Sequence, residues 1–326
     1  MTPRMTPEEI VARLLYRDGL MLIIDKPVGY AVHKGPKGGG SLEDHFGALR
    51  FGLPRAPALA HRLDRDTSGC LVLGRHKKAL ASLGKLVKGG RIGKTYWAVV
   101  EGGPSEDEGR IELPLGRLDD KRGWWMKVDP DGQQAVTTWK VLGRCSNFAT
   151  SAEQMSSNER AAGFPPPPVR HERVDARLRR AMAHGGEGSG VGGELNLKQA
   201  PPTPTLPSAS RGEGARPLLG EGVELPRDRI VGTNKTQLTW LALEPLTGRT
   251  HQLRVHCAAN GWPVVGDTIY GNAPRIGGPV LHLHSREIVV PLYKNKEPVK
   301  AMAPAPLHMQ ERLYACGWQG EVFRLV

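Results

Sequence analysis

Short apolar runs alternate along the chain with segments of helical periodicity, and turns rich in glycine and proline separate them. The apolar run 20–24 and the β-branched and aromatic run 94–101 each predict a strand, the first of them buried. In segment 77–88 the leucines share one face of a helix while the lysines lie elsewhere, which predicts an amphipathic helix. The pattern therefore predicts strands and helices together in one chain.

Capping and turn residues mark further elements. Thr6-Pro7-Glu8-Glu9 is typical of a helix start and predicts helix in residues 6–17, and Ser41 is a candidate N-cap for a helical segment 42–46. Further strands are predicted at 112–116, 134–142, 238–243 and 281–290, and further helices at 251–261 and 307–315.

The composition changes between residues 146 and 235. This segment holds four consecutive prolines at 165–168, a glycine-rich stretch at 185–193 and only two aromatic residues. It cannot bury enough apolar surface to offset the entropy of ordering, so we expect it to be low in complexity and largely disordered. We therefore expect one catalytic domain in two parts, 1–145 and 236–326, with 146–235 as an insertion.

The charge balance is basic, with 45 lysines and arginines against 33 acidic residues, a net charge of +12 and a pI near 9.7. This excess favours a polyanionic partner, either nucleic acid or an anionic membrane surface. No apolar stretch approaches the length of a spanning helix and the N-terminus lacks the apolar core of a secretory signal, so no membrane association is expected. The four cysteines form no Cys-x-x-Cys pair, which fits a reducing cytosol and predicts a cytoplasmic protein.

One polar stretch, His61-Arg62-Leu63-Asp64-Arg65-Asp66-Thr67-Ser68-Gly69, precedes an apolar run. Asp64 lies among cationic neighbours, so its carboxylate should be ionised at neutral pH. Such an anion can attack an electrophilic carbon or stabilise a cationic centre. A surface loop with Arg–Asp pairs explains this stretch equally well on its own.

The same stretch resembles the catalytic motif of the RluA-type RNA pseudouridine synthases. Four further stretches match that family in the family's order: 24–29 (Ile-Asp-Lys-Pro-Val-Gly), 94–100 (Lys-Thr-Tyr-Trp-Ala-Val-Val), 247–256 (Thr-Gly-Arg-Thr-His-Gln-Leu-Arg-Val-His), and Gly266-Asp267 before Tyr270-Gly271. The resemblance implies an α+β fold with a mixed, mostly antiparallel central sheet and a catalytic cleft. It also implies isomerisation of uridine to pseudouridine in RNA with no cofactor and no metal.

The resemblance assigns roles to individual residues. Asp64 is the expected nucleophile, adding to C1′ or supporting a glycal route, Arg254 the guanidinium that pairs with it, and Tyr96 the ring that stacks on the extruded uracil. Arg62 is expected to brace the RNA backbone or fill the vacated space. The expected substrate-binding residues are His61, Arg62, Arg65, Thr67, Arg249, His251 and Leu253.

The expected partner is an rRNA or tRNA stem–loop, bound by a monomer. Some members of the family carry an N-terminal S4 RNA-binding domain, and the residues before the first predicted strand here are too few to hold one.

Three other functions fit part of the sequence. A metal-dependent hydrolase could use His251, His256, His282 and His284, although no carboxylate or cysteine completes a recognisable ligand set. A non-catalytic RNA-binding protein of the same fold would show the same charge. A deoxyribose-directed glycosylase would act without a 2′-hydroxyl. The intact Asp64, Tyr96 and Arg254 favour the synthase.

Overall fold

The computed structural model describes residues 5–35, 39–119, 124–148 and 236–321. The helices are α1 (Pro7–Ala12), a 3₁₀ helix (Leu42–Leu49), α2 (Lys77–Lys88), α3 (Gln252–Ala259) and α4 (Leu307–Ala315). The strands are β1 (Leu14–Arg17), β2 (Met21–Lys26), β3 (Ala58–Leu59), β4 (Ser68–Gly74), β5 (Gly93–Glu101), β6 (Glu108–Glu112), β7 (Leu115–Arg117), β8 (Met126–Val128), β9 (Val136–Phe148), β10 (Thr236–Pro245), β11 (Leu283–Val290) and β12 (Val299–Met302).

Ten of the strands form one sheet, in the order β1-β2-β4-β11-β5-β10-β9-β6, with β12 beside β11 and β3 beside β4. Every pairing is antiparallel except that of β4 with β11, where Ser68 lies opposite His284 and Gly69 opposite Ser285. The strands β7 and β8 form a separate two-stranded hairpin. The prediction of an α+β fold with a mixed, mostly antiparallel sheet is confirmed.

Both faces of the sheet are covered, which explains why β2 is apolar at consecutive positions. Leu22 and Ile24 pack into one hydrophobic cluster, whereas Met21 and Ile23 pack on the opposite face against Leu83 of α2. Alternate side chains of a strand point to opposite faces, so a strand buried on both sides needs apolar residues throughout.

Most predicted elements are present, with three differences. The strand predicted at 112–116 is interrupted at Leu113 and Pro114, which lie between the end of β6 and the start of β7. The helix predicted in residues 6–17 ends at Ala12, and Leu14–Arg17 forms β1 instead. The reason is tertiary, because β1 pairs with β2 and this pairing supplies backbone hydrogen bonds that the helix would otherwise make. The strand predicted at 134–142 continues to Phe148, where it still pairs with β10.

The predicted insertion 146–235 lies outside the described residues from position 149 onward. On either side of it, β9 and β10 are antiparallel neighbours, and Phe148 lies opposite Thr236. The two expected parts of the catalytic domain therefore contribute adjacent strands to one sheet.

Among the described residues, none of the helices is long and apolar enough to cross a membrane. All four cysteines are free thiols.

Candidate active site

The loop that carries Asp64 is held by a buried lysine at the end of β2. The Nζ atom of Lys26 donates hydrogen bonds to the carbonyl oxygens of Pro27 (2.9 Å), Arg65 (2.9 Å) and Thr67 (2.7 Å). The amide of Gly29 also donates to the Arg65 carbonyl at 2.9 Å. The segment that follows β2 therefore fixes the backbone on the C-terminal side of Asp64.

Lys26 is fully buried, and this burial lowers its pKa to about 7, against the opposing charges of Asp66, Asp64 and Asp25. A buried amine is tolerated only when its donors are satisfied. The three carbonyl acceptors meet that requirement, so Lys26 is a structural clamp of the Asp64 loop.

Asp64 faces a histidine from the other part of the chain. The Nε2 atom of His251 lies 3.7 Å from Oδ2 of Asp64, and about one third of the Asp64 side chain is exposed. The hydroxyl of Tyr270 accepts a hydrogen bond from the amide of Met126 (2.9 Å) and lies 2.7 Å from Nδ1 of His251. A tyrosine hydroxyl that accepts from Met126 can donate its own proton to Nδ1, which leaves the proton of a neutral imidazole on Nε2, toward Asp64.

His251 is neutral for a physical reason. Burial lowers its pKa, and the charge of Asp64 only partly offsets that effect. Its backbone also occupies the left-handed region, with φ of 52° at the start of α3. A left-handed conformation is uncommon for residues other than glycine and costs energy, and such conformations cluster at functional sites.

Arg254 contacts a different carboxylate from the expected one. Its Nε and Nη2 atoms donate to the two oxygens of Asp267, both at 2.7 Å, and both side chains are buried. Among the described residues no ion pair joins Arg254 to Asp64, so the expected direct pairing is corrected. Burial acts to lower the pKa of Arg254, but the hydrogen bonds and charge of Asp267, with a further contribution from Asp64, hold it above its ordinary value. Arg254 therefore acts on Asp64 as a nearby charge.

Tyr96 lies on β5 and its ring is buried in the main core cluster together with Leu253. Burial raises the pKa of Tyr96, and the charge of Asp64 is close enough to raise it further. The phenol is therefore neutral at physiological pH. Tyr96, His251 and Arg254 thus all lie near Asp64 in the structure.

Four of the expected substrate-binding residues are buried: His61, Thr67, His251 and Leu253. The Nε2 atom of His61 accepts a hydrogen bond from the amide of Val72 at 3.1 Å, and burial lowers the pKa of His61 to about 3. Thr67 is also buried, and its carbonyl accepts from Lys26. His61 and Thr67 therefore take part in the internal hydrogen bonds of this region, and their assignment to substrate binding remains a prediction.

The three arginines expected to bind substrate are exposed. Arg62 follows the buried His61, Arg65 donates to the carbonyl of Gly29 at 3.1 Å, and Arg249 donates to the carbonyl of Gln134 at 3.1 Å. Exposed guanidinium groups around a carboxylate-bearing loop suit a polyanion that must be held near an anionic side chain.

Comparison with known proteins identifies the protein class. A profile of the RNA pseudouridylate synthase family matches residues 20–259. The chain belongs to this family. It is 31% identical over 301 residues to an uncharacterized RNA pseudouridine synthase of Zymomonas mobilis, covering 91% of this chain and 95% of that protein. It is 25% identical to an uncharacterized RNA pseudouridine synthase of Synechocystis, covering 95% of this chain and 72% of that protein.

A solved structure of human RNA pseudouridylate synthase domain containing 1 has the same fold, with a TM-score of 0.56 and 20% identity over 93% of this chain and 86% of that one. The protein is accordingly an RNA pseudouridine synthase, an isomerase acting on RNA.

The histidines considered for a hydrolase have other partners in the synthase. His256 lies 3.0 Å from the Thr137 hydroxyl, His284 lies 2.9 Å from the Ser68 hydroxyl, and His282 lies 2.6 Å from the Val280 carbonyl. In the part of the chain that the structure describes, no three histidine, cysteine or acidic side chains converge as a metal site.

One cavity, of about 630 Å³, lies near α1 and β2, with Arg13 and Asp25 among its lining residues. Asp64 is not among its lining residues. Asp64 is the candidate active site because charged and hydrogen-bonded side chains surround it.

Sequence reasoning missed three residues that organise the synthase's site: Lys26, Asp267 and Tyr270. All three lie in the stretches that match the family, but their neighbours in sequence give no indication of what they contact. Lys26 bonds to residues about 40 positions away, and Tyr270 joins α3 to the β7–β8 hairpin.

Proposed function

We propose that this synthase converts specific uridines in rRNA or tRNA stem–loops to pseudouridine, with Asp64 as the nucleophile and without a cofactor. It acts in the cytoplasm as a monomer. One observation carries the proposal: Asp64 is a partly exposed carboxylate on a loop clamped by Lys26, facing the neutral ring of His251.

The reaction exchanges one bond for another at the same sugar carbon. The N1–C1′ bond breaks, the uracil rotates within the pocket, a C5–C1′ bond forms, and the proton leaves C5 while N1 gains one. The carboxylate of Asp64 serves either by adding to C1′ and leaving again or by supporting a glycal route after proton loss from C2′. Both routes need an anion held in a fixed direction, and the clamped loop supports this.

Tyr96 is the ring we assign to the uracil. The target base must leave the helical stack before it can react, which costs a few kcal/mol. Stacking of an aromatic ring on the base contributes about 1–3 kcal/mol, which offsets part of that cost. The raised pKa keeps the phenol protonated, so Tyr96 is suited to stacking and to passing on a proton through its hydroxyl.

Arg254 and Asp267 support the site as a positioning pair. A bidentate contact fixes the plane of the guanidinium. The positive charge of Arg254 then lies at a constant place near the Asp64 carboxylate. The exposed Arg62, Arg65 and Arg249 are assigned to the RNA backbone.

Pseudouridine mapping tests the proposal. Total RNA from cells with and without the protein identifies the modified uridine, and a synthetic hairpin carrying that uridine is then incubated with wild-type protein and with Asp64→Asn. We expect product with wild type and none above background with Asp64→Asn, which should still bind the hairpin.

Asp66→Asn is the matched control, because it removes an exposed carboxylate from the same loop and should retain activity. Equal activity of Asp64→Asn and wild type would remove Asp64 from the mechanism, and binding without any product from wild type would favour the non-catalytic alternative.

A further inference from the structure

Two tryptophans lie beside the active site and have no role in the chemistry described above. Trp124 and Trp125 immediately precede β8, and their ring centroids are 5.8 Å apart with planes at 76°. We propose that Trp124 is a stacking platform for an unpaired base next to the target uridine. This inference rests on the proposed function, because it concerns how the same site holds its RNA.

Trp124 is fixed close to the reacting carboxylate. Its ring centroid lies 5.5 Å from that of His251, whose Nε2 atom lies 3.7 Å from Asp64. The amide of Met126, two residues further along the chain, donates to the hydroxyl of Tyr270, which also contacts His251. The hairpin is therefore bonded to the same side chains that surround Asp64, and an RNA nucleotide bound at Asp64 has its neighbours within reach of Trp124.

The exposure of Trp124 distinguishes it from the other rings of this cluster. It is 57% exposed, whereas His251 is buried and Trp125 is half-buried. Because Trp124 remains in contact with water, its indole lacks the stabilising free energy that burial would give it. Its ring contacts with His251 (84°) and Trp125 are both edge-type, so in the described structure neither ring stacks face to face on the exposed indole.

The chemistry of the indole selects the ligand. An exposed aromatic ring next to a basic surface binds nucleic acid by stacking on a base while cationic side chains hold the backbone. Here the guanidinium of Arg275 lies 6.0 Å from the ring centroid of Trp125, so an exposed cation accompanies the tryptophan pair. A base can stack on Trp124 only if it is unpaired, which favours loops over stems.

Equilibrium binding of the synthetic hairpin tests the platform directly. Binding is measured in the Asp64→Asn background, so that the RNA is not converted during the measurement. Trp124→Ala should weaken binding about 10-fold, within the range of about 5- to 160-fold typical of a lost base–aromatic stack. Trp124→Phe should retain most of the affinity. Tyr314→Ala is the matched control, because Tyr314 is 53% exposed on α4, and it should bind like the parent.

A second arm locates the stacked base. Hairpins with an abasic nucleotide on the 5′ or the 3′ side of the uridine are bound by protein with and without Trp124→Ala. The substitution should have no effect on the hairpin that lacks the stacked base and its full effect on the other. In otherwise wild-type protein, Trp124→Ala should raise KM and leave kcat unchanged.

The outcomes separate the two proposals. If wild type modifies no RNA, the proposed function fails and the platform with it. If wild type is active but Trp124→Ala binds normally, or weakens binding of both abasic hairpins to the same degree, only the platform is wrong. A fall in kcat at unchanged affinity would indicate that Trp124 shields the His251–Asp64 contact. That result would also overturn the proposal that Trp124 is a stacking platform.

Discussion

At the scale of single residues, the charges around Asp64 are already engaged by partners of their own. The guanidinium of Arg254 is bound to Asp267, the amine of Lys26 to three carbonyl oxygens, and His251 is neutral because it is buried. Asp64 thus lies near the guanidinium of Arg254, whose hydrogen bonds are made to Asp267 instead. A carboxylate in this situation keeps its oxygens available for a reacting carbon.

The Arg254–Asp267 pair should be important for stability as well as for the site. Removing one partner of a buried ion pair leaves the other charge uncompensated, which costs about 3–5 kcal/mol. We expect Asp267→Asn to lower the free energy of unfolding at pH 7 by about 3 kcal/mol or more, measured by chemical denaturation. Asp66→Asn removes an exposed carboxylate instead and should change it by less than about 0.5 kcal/mol.

The pH dependence of the difference in stability between wild type and Asp267→Asn tests whether the charge of Asp267 is its cause. Burial acts to raise the pKa of Asp267, but hydrogen bonds from Arg254 and from backbone amides hold it below its ordinary value of 3.8. A depressed pKa stabilises the folded protein above the unfolded value, and this contribution is lost as the pH falls through the folded value. The free energies of unfolding of wild type and Asp267→Asn should therefore become more similar as the pH falls into the acidic range. A constant difference down to low pH would instead attribute the loss to packing.

At the scale of secondary-structure elements, the parallel pairing of β4 with β11 positions the Asp64 loop. Gly69 of β4 has φ of 104°, and a Cβ atom there would lie only 2.3 Å from the carbonyl oxygen of Ser285 on β11. Only glycine permits both this conformation and this approach. The close contact brings the Asp64 loop next to the strand that also pairs with Tyr96 of β5.

Gly69→Ala should therefore destabilise the protein and displace the loop. We expect a loss of more than about 1 kcal/mol in the free energy of unfolding, together with reduced pseudouridine formation. Gly84→Ala is the matched control: Gly84 lies within α2, a Cβ there meets nothing within 4 Å, and alanine in a helix should stabilise by about 0.5–1 kcal/mol. Equal effects of the two substitutions would refute the close-approach argument.

The elements that sequence predicts well are those with local causes. The helix 77–88 and the helix 307–315 have the predicted bounds, because their periodicity and turn residues are encoded within the segment. The end of α1 was predicted incorrectly because a strand pairing decides it. For the site, the family motifs predict Asp64, Tyr96 and Arg254. They do not predict that Arg254 contacts Asp267, because that depends on which of two carboxylates lies closer in three dimensions, and no local pattern encodes this.

At the scale of the whole molecule, the proposed active site combines both parts of the chain. The loop of Asp64 and the ring of Tyr96 come from the first part, whereas α3, with His251 and Arg254, comes from the second. Between them in sequence lies the predicted insertion, and in the sheet β10 lies directly between β5 and β9. The pairing of β9 with β10 thus brings the second part of the chain to the site.

This arrangement predicts that the segment between β9 and β10 can be replaced by a tight turn. Phe148 and Thr236 are already opposite each other in an antiparallel pair, and a two-residue Asn-Gly turn is the preferred connection between such strands. We expect a chain with Asn-Gly in place of residues 149–235 to fold cooperatively, with a Tm within a few degrees of wild type, and to modify the hairpin at a comparable rate, because every residue assigned to the site lies outside the deleted segment.

Asp64→Asn in the shortened chain is the control for residual activity. Thermal unfolding and pseudouridine formation are measured together. A shortened chain that folds but is inactive would assign the segment to substrate binding. One that does not fold would show that residues 149–235 are part of the catalytic domain and not an insertion into it.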